Sequence, residues 1–232
     1  MFRELIDAIQ LGMTAQIVEK DGISYTTRAL KEFGEKNFTC IVVNSLDSLV
    51  TYAATQEDGI KPAYFVIESV REVSLVTAAN QLGSRNQPIM ARANPPNFNF
   101  GEYYDQEAFR IALATIFAET DSRNALLTAI SKIEAGSIRE SEDDGFSQSA
   151  ALRKSVRMVG RADLAPIQTL HPYRTFLEIE QPESDFLLRL KDADSGVKCA
   201  LFAADGGQWE NVARQSIADY LEAQKTGIPV LR

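Results

Sequence analysis

The sequence predicts an α+β protein, mainly antiparallel sheet packed by amphipathic helices, with a central αα-hairpin. Three observations predict it. Across residues 150–204, apolar and polar side chains alternate in short runs, the pattern of strands with one dry face. Tight-turn pairs, Asp21-Gly22 and Asp144-Gly145, interrupt β-forming stretches. Helical periodicity marks two adjacent segments in the middle of the chain and a longer one near its end.

Phe2, Leu5, Ile6 and Ile9 share one helical face and predict a short opening helix that ends near Gly12. The stretch from Ala15 to Thr27 reads as a hairpin, since both central positions of a type I′ turn need positive φ and Asp21-Gly22 supplies them. A strand is expected from Phe38 to Val43. Ser45 is then the candidate N-cap of a helix with Leu46, Leu49, Val50, Ala53 and Ala54 inside. Further strands are expected over Ala63–Glu68, Glu72–Val76 and Pro88–Ala93, the first two as a candidate pair.

The segment from Asn94 to Asp105 is irregular, because Pro95 and Pro96 remove donors and restrict their neighbours. It carries Phe98, Phe100, Tyr103 and Tyr104. The simpler reading is a loop pinned onto the core by its aromatic rings. The functional reading is a contact surface for a partner or another subunit, where aromatics are enriched. Asp105 and Asp121 are the expected caps of two helices, one burying Phe109, Ala112, Leu113, Ile116 and Phe117, the other Leu126, Leu127, Ile130 and Ile133. The link of about four residues makes them an αα-hairpin.

From Ser137 onward strands are expected. Leu152, Val156 and Met158 alternate with Arg153, Ser155 and Arg157, with Lys154 the one exception on the apolar side. Leu177 and Ile179 alternate with Glu178 and Glu180, and Phe186, Leu188 and Leu190 with Arg189 and Lys191. Val197–Ala203 is apolar on both parities and reads as a central strand. The stripe of Trp209, Val212, Ala213, Ser216, Ile217, Tyr220 and Leu221 predicts a helix covering a face of the preceding sheet. A single domain over 1–232 accommodates all this, with two intimate lobes, 1–136 and 137–232, as the alternative.

Composition excludes several classes. Hydrophobic residues make up 45% of the 232, enough for a full core without staples. Lys and Arg number 24 against 32 Asp and Glu, a net charge of −8, which lacks the global pull toward phosphates that duplex binding needs. The dense basic run, Arg153, Lys154, Arg157 and Arg161, reads as a solvated strand face, with nucleic acid as the alternative partner. The charged opening shows no secretory h-region, and no apolar run nears the ~20 residues that span a bilayer. A soluble, intracellular protein is therefore expected. Cys40 and Cys199 lie in apolar strands and read as small buried hydrophobes in a reducing compartment.

The inventory for catalysis is thin. His171 is the one histidine, and before Pro172 it reads as a hydrogen-bonded loop residue rather than a general base. Cys40, His171 and Cys199 have no zinc-ligand spacing, and neither phosphate-cradling glycine motif is present. Carboxylates cluster at Glu140, Glu142, Asp143 and Asp144 and at Glu178, Glu180, Glu183 and Asp185. Such groups could hold Mg²⁺ or Ca²⁺, but a solvated acidic face explains them as well. Asp205-Gly206-Gly207 reads as a tight strand-to-helix turn requiring positive φ, with an anion at the helix N-terminus as the functional alternative. No cofactor and no metal is predicted.

Three segments together carry a resemblance: Glu142-Asp-Asp-Gly-Phe-Ser-Gln148, His171-Pro-Tyr-Arg-Thr-Phe-Leu-Glu-Ile-Glu-Gln-Pro-Glu-Ser-Asp-Phe-Leu-Leu-Arg189 and Ala200-Leu-Phe-Ala-Ala-Asp-Gly-Gly-Gln-Trp209. They resemble the YfdQ-like family of phages and prophages, whose function is unknown. Weaker likeness runs upstream through Ser45–Tyr52 and Phe100–Tyr104. The resemblance implies a phage or prophage protein made in a bacterial cytoplasm and supplies no catalytic residues. Within the motif, Pro172, Tyr173, Arg174, Glu178, Gln181, Asp205, Gly206, Gly207 and Trp209 are expected to serve folding and assembly, with Arg174 bridging Glu178 or Glu180 to lock the loop. The leading expectation is a non-enzymatic, homo-oligomeric accessory protein for assembly or binding. The alternatives are a factor in phage DNA recombination or replication and a metal-dependent enzyme using the clustered carboxylates.

Overall fold

The structure, a computed structural model, describes residues 17–20, 23–26, 39–55, 62–79, 83–133, 165–193 and 196–232. The expected opening helix, the turn residues Asp21 and Gly22, the acidic cluster Glu140–Asp144 and the basic run Arg153–Arg161 lie outside the described residues. The chain divides into two units, Met1–Asn37 and Phe38–Arg232. In the first, β1 (Ile17–Lys20) and β2 (Ile23–Thr26) pair antiparallel, Ile17 opposite Thr26 and Lys20 opposite Ile23.

The second unit is an α+β fold with two sheets and a core against each. The elements are β3 (Ile41–Val43), α1 (Leu46–Thr55), β4 (Ala63–Ser69), β5 (Glu72–Thr77), β6 (Ile89–Arg92), β7 (Tyr104–Asp105), α2 (Gln106–Ile116), α3 (Asp121–Ser131), β8 (Ile167–Leu170), β9 (Ser184–Ala193), β10 (Gly196–Ala203), α4 (Gln208–Ala223) and β11 (Val230–Leu231). A mixed five-stranded sheet runs β11-β4-β5-β6-β3, and an antiparallel four-stranded sheet runs β7-β10-β9-β8. β11 and β3 enter the first sheet as parallel partners of β4 and β6.

Period-two alternation explains both inner faces. Ala63, Phe65 and Ile67 of β4 point into the first core, where α1 adds Leu46, Leu49 and Ala53, and α4 adds Ile217, Ala218 and Leu221. Leu188 and Leu190 of β9 lie beside Leu201 and Cys199 of β10 in the second core, which Phe186 joins and which α2 and α3 cover with Phe109, Leu113, Leu126 and Ile130. Burying each large side chain contributes about 1.5–3 kcal/mol. β10 has neighbours on both sides, as expected for a central strand.

The αα-hairpin closes its own loose ends. Arg123 of α3 donates through Nη1 to the carbonyls of Ala114 (3.3 Å) and Phe117 (3.1 Å) at the end of α2. Gln106 of α2 donates through Nε2 to those of Ile130 (2.5 Å) and Ile133 (3.0 Å) at the end of α3. Each helix thus supplies side-chain donors to carbonyls at the end of its neighbour, where helical bonding runs out.

Several expectations are corrected. The C-terminal helix, α4, packs on the five-stranded sheet through β4 and β11, not on the four-stranded sheet whose strands β8–β10 precede it. Its buried face is Ala213, Ile217, Ala218 and Leu221, whereas Val212 is exposed. Leu177–Glu180 is a turn, not a strand, with Leu177 72% exposed and Ile179 buried. The cap of α3 is Thr120, whose hydroxyl accepts from Arg123 N at 3.2 Å, so Asp121 is the first helical residue; Asp105 occupies the cap position of α2 without a side-chain cap bond and pairs with Lys198 instead. The lobe boundary at 136 does not divide the cores, since β7 joins β10 and β11 joins β4 across it. Cys40 is exposed, because it leads into the outermost strand β3, while Cys199 is buried.

Burial raises the Cys199 thiol from 9.0 to about 12. The expected result is that a thiol reagent at pH 8 labels Cys40 in the native protein and reaches Cys199 only after denaturation. Mass spectrometry of the labelled peptides checks it; native labelling of Cys199 would show that the second core opens.

Candidate functional site

Residues 171–181 run between the two cores and are bonded to both. On one side the chain pairs with the link between α2 and α3. Ala118 N donates to His171 O (2.8 Å), Tyr173 N donates to Ile116 O (2.9 Å), and Pro172 forms a bridge with Phe117. On the other side Thr175 Oγ1 donates to Val70 O (2.5 Å), Arg71 Nε donates to Arg174 O (3.0 Å), and Phe176 and Ile179 enter the first core.

Gln181 closes this segment on itself. Its buried Oε1 accepts from the backbone N of Arg174 (3.0 Å) and of Thr175 (3.4 Å), and its Nε2 donates to Phe176 O (2.8 Å) and Ile179 O (3.3 Å). Four backbone groups that a non-repetitive buried loop would leave unsatisfied are paired by one side chain. His171 Nδ1 lies 2.9 Å from Gln181 O; since a carbonyl only accepts, Nδ1 carries the proton.

Arg174 does not bridge Glu178 or Glu180. Glu178 instead accepts from Leu46 N at 2.7 Å, where a carboxylate opposes the positive end of α1, and Glu180 is exposed. Arg174, only 7% exposed, donates through Nη2 to Ser184 Oγ (2.5 Å), and Ser184 donates to Asp205 Oδ2 (2.5 Å). Its guanidinium lies over the Trp209 ring, 3.9 Å from the centroid, and 5.7 Å from that of Phe186. Its Nε is buried with no hydrogen-bond partner among the described residues. Burial lowers the guanidinium from 12.5 to about 10, against the attraction of Asp205 and Glu210, so it remains charged at neutral pH.

The Asp205-Gly206-Gly207 turn has φ of 62° and 81° at its glycines, as the tight-turn reading requires. The N-terminus of α4 already faces an anion of the chain itself: Asp205 Oδ1 accepts from Gly207 N at 3.1 Å. Against the desolvation of its burial, hydrogen bonds from the Ser184 hydroxyl and this amide, together with the nearby Arg174 guanidinium, hold the Asp205 carboxyl below its usual value.

Beside Arg174 opens a cleft of about 240 Å³. It unites residues the sequence placed in separate groups: Phe98 and Phe100 from the aromatic loop, and Pro172, Tyr173, Arg174 and Trp209 from the motif. Arg71, from the β4–β5 turn, lies on the same cleft. The loop is pinned as the simpler reading expects. Phe98 is buried and stacks on Tyr104 (4.9 Å), and Phe100 stacks on Phe186 (4.9 Å, 9° between planes). As a partner surface, the four aromatics are therefore reduced to Tyr103, which is exposed and meets Phe202 edge-on.

Arg71, Thr175 and Ser184 were not singled out from the sequence. Arg71 reaches the site from 103 residues upstream of Arg174, and no local pattern announces such a meeting. Among the described residues no group of three or more His, Cys, Asp or Glu side chains converges as a metal site would. No helix among them is long and apolar enough to cross a membrane.

Fold and cleft together give an α+β protein in which an aromatic and apolar wall lies beside a buried guanidinium. Comparison with protein-family models, with curated proteins and with solved structures finds no match.

Proposed function

We propose that this chain is a non-enzymatic phage or prophage accessory protein, acting in the bacterial cytoplasm as a homo-oligomeric assembly or binding protein. The observation that carries the oligomeric reading is where exposed apolar side chains lie. Ile41 and Val42 (56% exposed) are on β3, Ile167 on β8 and Leu231 on β11, each the outermost of the described strands on its side of a sheet. Sheet margins offer backbone donors and acceptors to another strand, and apolar residues there favour such pairing. The non-enzymatic reading is supported by the candidate catalytic groups being engaged structurally: His171 on Gln181, Glu178 on α1 and Asp205 on Ser184 and Gly207. Phage origin rests on the resemblance of the His171–Arg189 and Ala200–Trp209 segments to the YfdQ-like family.

Light scattering on the eluting protein at micromolar concentration tests it. The expected mass is a multiple of 25.7 kDa, and a uniform 25.7 kDa species would contradict the reading.

A further inference from the structure

We propose that the cleft beside Arg174 binds a small monocarboxylate carried on an apolar or aromatic body. Its size sets the scale. At about 240 Å³ it exceeds the ~150 Å³ that encloses benzene but falls below the ~300 Å³ of the smallest drug-sized pockets. One ring or one amino-acid side chain with its head group fits that range. Phe98, Phe100, Ile116 and Pro172 supply apolar wall for the body.

Charge selects the head group. Arg174 is buried, its Nη2 bonds only a neutral hydroxyl, and its Nε has no acceptor among the described residues. A buried charge-bearing donor left unmatched is costly, so an arriving acceptor gains more there than at the surface. Arg71, its Nε fixed on Arg174 O, brings a second guanidinium to the same cleft. A guanidinium matches the planar, two-oxygen geometry of a carboxylate. Asp205 and Glu210 add negative charge nearby, and both act on Arg174. Asp205 has its oxygens on Ser184 and Gly207 N, so it stabilises Arg174 indirectly and does not occupy the cleft. With two carboxylates already present, a single negative charge is favoured over the double charge of phosphate.

The site is independent of oligomeric state, and its test is separate. Trp209 is the chain's single tryptophan and lines the cleft, so intrinsic fluorescence reads occupancy directly. The full chain is titrated with 3-phenylpropionate, 3-phenylpropionamide and inorganic phosphate. The expected result is a saturable change in Trp209 emission with the carboxylate, at least roughly tenfold weaker with the amide, and no displacement by phosphate. Arg71→Gln is expected to weaken carboxylate binding roughly tenfold. Because it also removes the Nε bond to Arg174 O, far-ultraviolet circular dichroism checks that the variant is folded at the titration temperature. No saturable change up to about 10 mM, equal binding of acid and amide, displacement by phosphate, or indifference to Arg71→Gln would each overturn the proposal.

Discussion

Gln181→Leu is expected to destabilise the protein by about 3–5 kcal/mol, although the two side chains are close in size. The loss is polar rather than steric. Leucine leaves Arg174 N, Thr175 N, Phe176 O and Ile179 O without the partner that satisfies them in the interior. Each buried group left unmatched costs about 1–3 kcal/mol, and the four do not add fully because the loop relaxes toward water. Urea unfolding followed by far-ultraviolet circular dichroism should show a lower midpoint with an unchanged slope. A loss below about 1 kcal/mol would mean that the segment holds its shape without this side chain.

Phe186→Ala is the second large effect, again about 3–5 kcal/mol, for a different reason. Phe186 is fully buried, stacks on Phe100, meets Phe117 edge-on and lies 5.7 Å from the Arg174 guanidinium. Its removal leaves a cavity and releases Phe100 from the cleft wall, forfeiting about 0.5–1.5 kcal/mol of ring pairing besides the burial. Near-ultraviolet circular dichroism should weaken together with stability. An intact aromatic signal and a loss under about 1 kcal/mol would show that the second core is not organised around this ring.

Much of the fold was legible because its causes are local. Alternation at Phe186, Leu188 and Leu190 marks β9, and the apolar run Val197–Ala203 marks its central partner β10. The four-residue link Phe117–Thr120 marks the helical pair. The glycines after Asp205 announce positive φ by their chemistry. What was not legible depends on distant partners. The stripe on α4 says that the helix has a buried side but not which sheet it meets. The sheet it covers includes β11, two residues long, paired with β4 more than 160 residues earlier. Alternation over Leu177–Glu180 imitates a strand, but of its two apolar residues only Ile179 is anchored in a core while Leu177 is exposed.

The candidate site divides the same way. The motif residues were visible as a group, but their meeting with Arg71 and the aromatic loop is a product of the tertiary fold. The expected Arg174–glutamate pair failed because Glu178 has a nearer task at the N-terminus of α1, and Ser184 takes the guanidinium instead.

The run from His171 to Gln181 is, on this account, a structural tie: it fastens one core to the other and shapes the cleft as it passes. Amide hydrogen exchange at Arg174 and Thr175 examines that directly. Protection within about tenfold of the amides of β10 is the outcome required, since breaking their bonds to Gln181 would then need near-global unfolding. Exchange at the rate of an exposed loop would mean that the segment opens by itself and joins nothing.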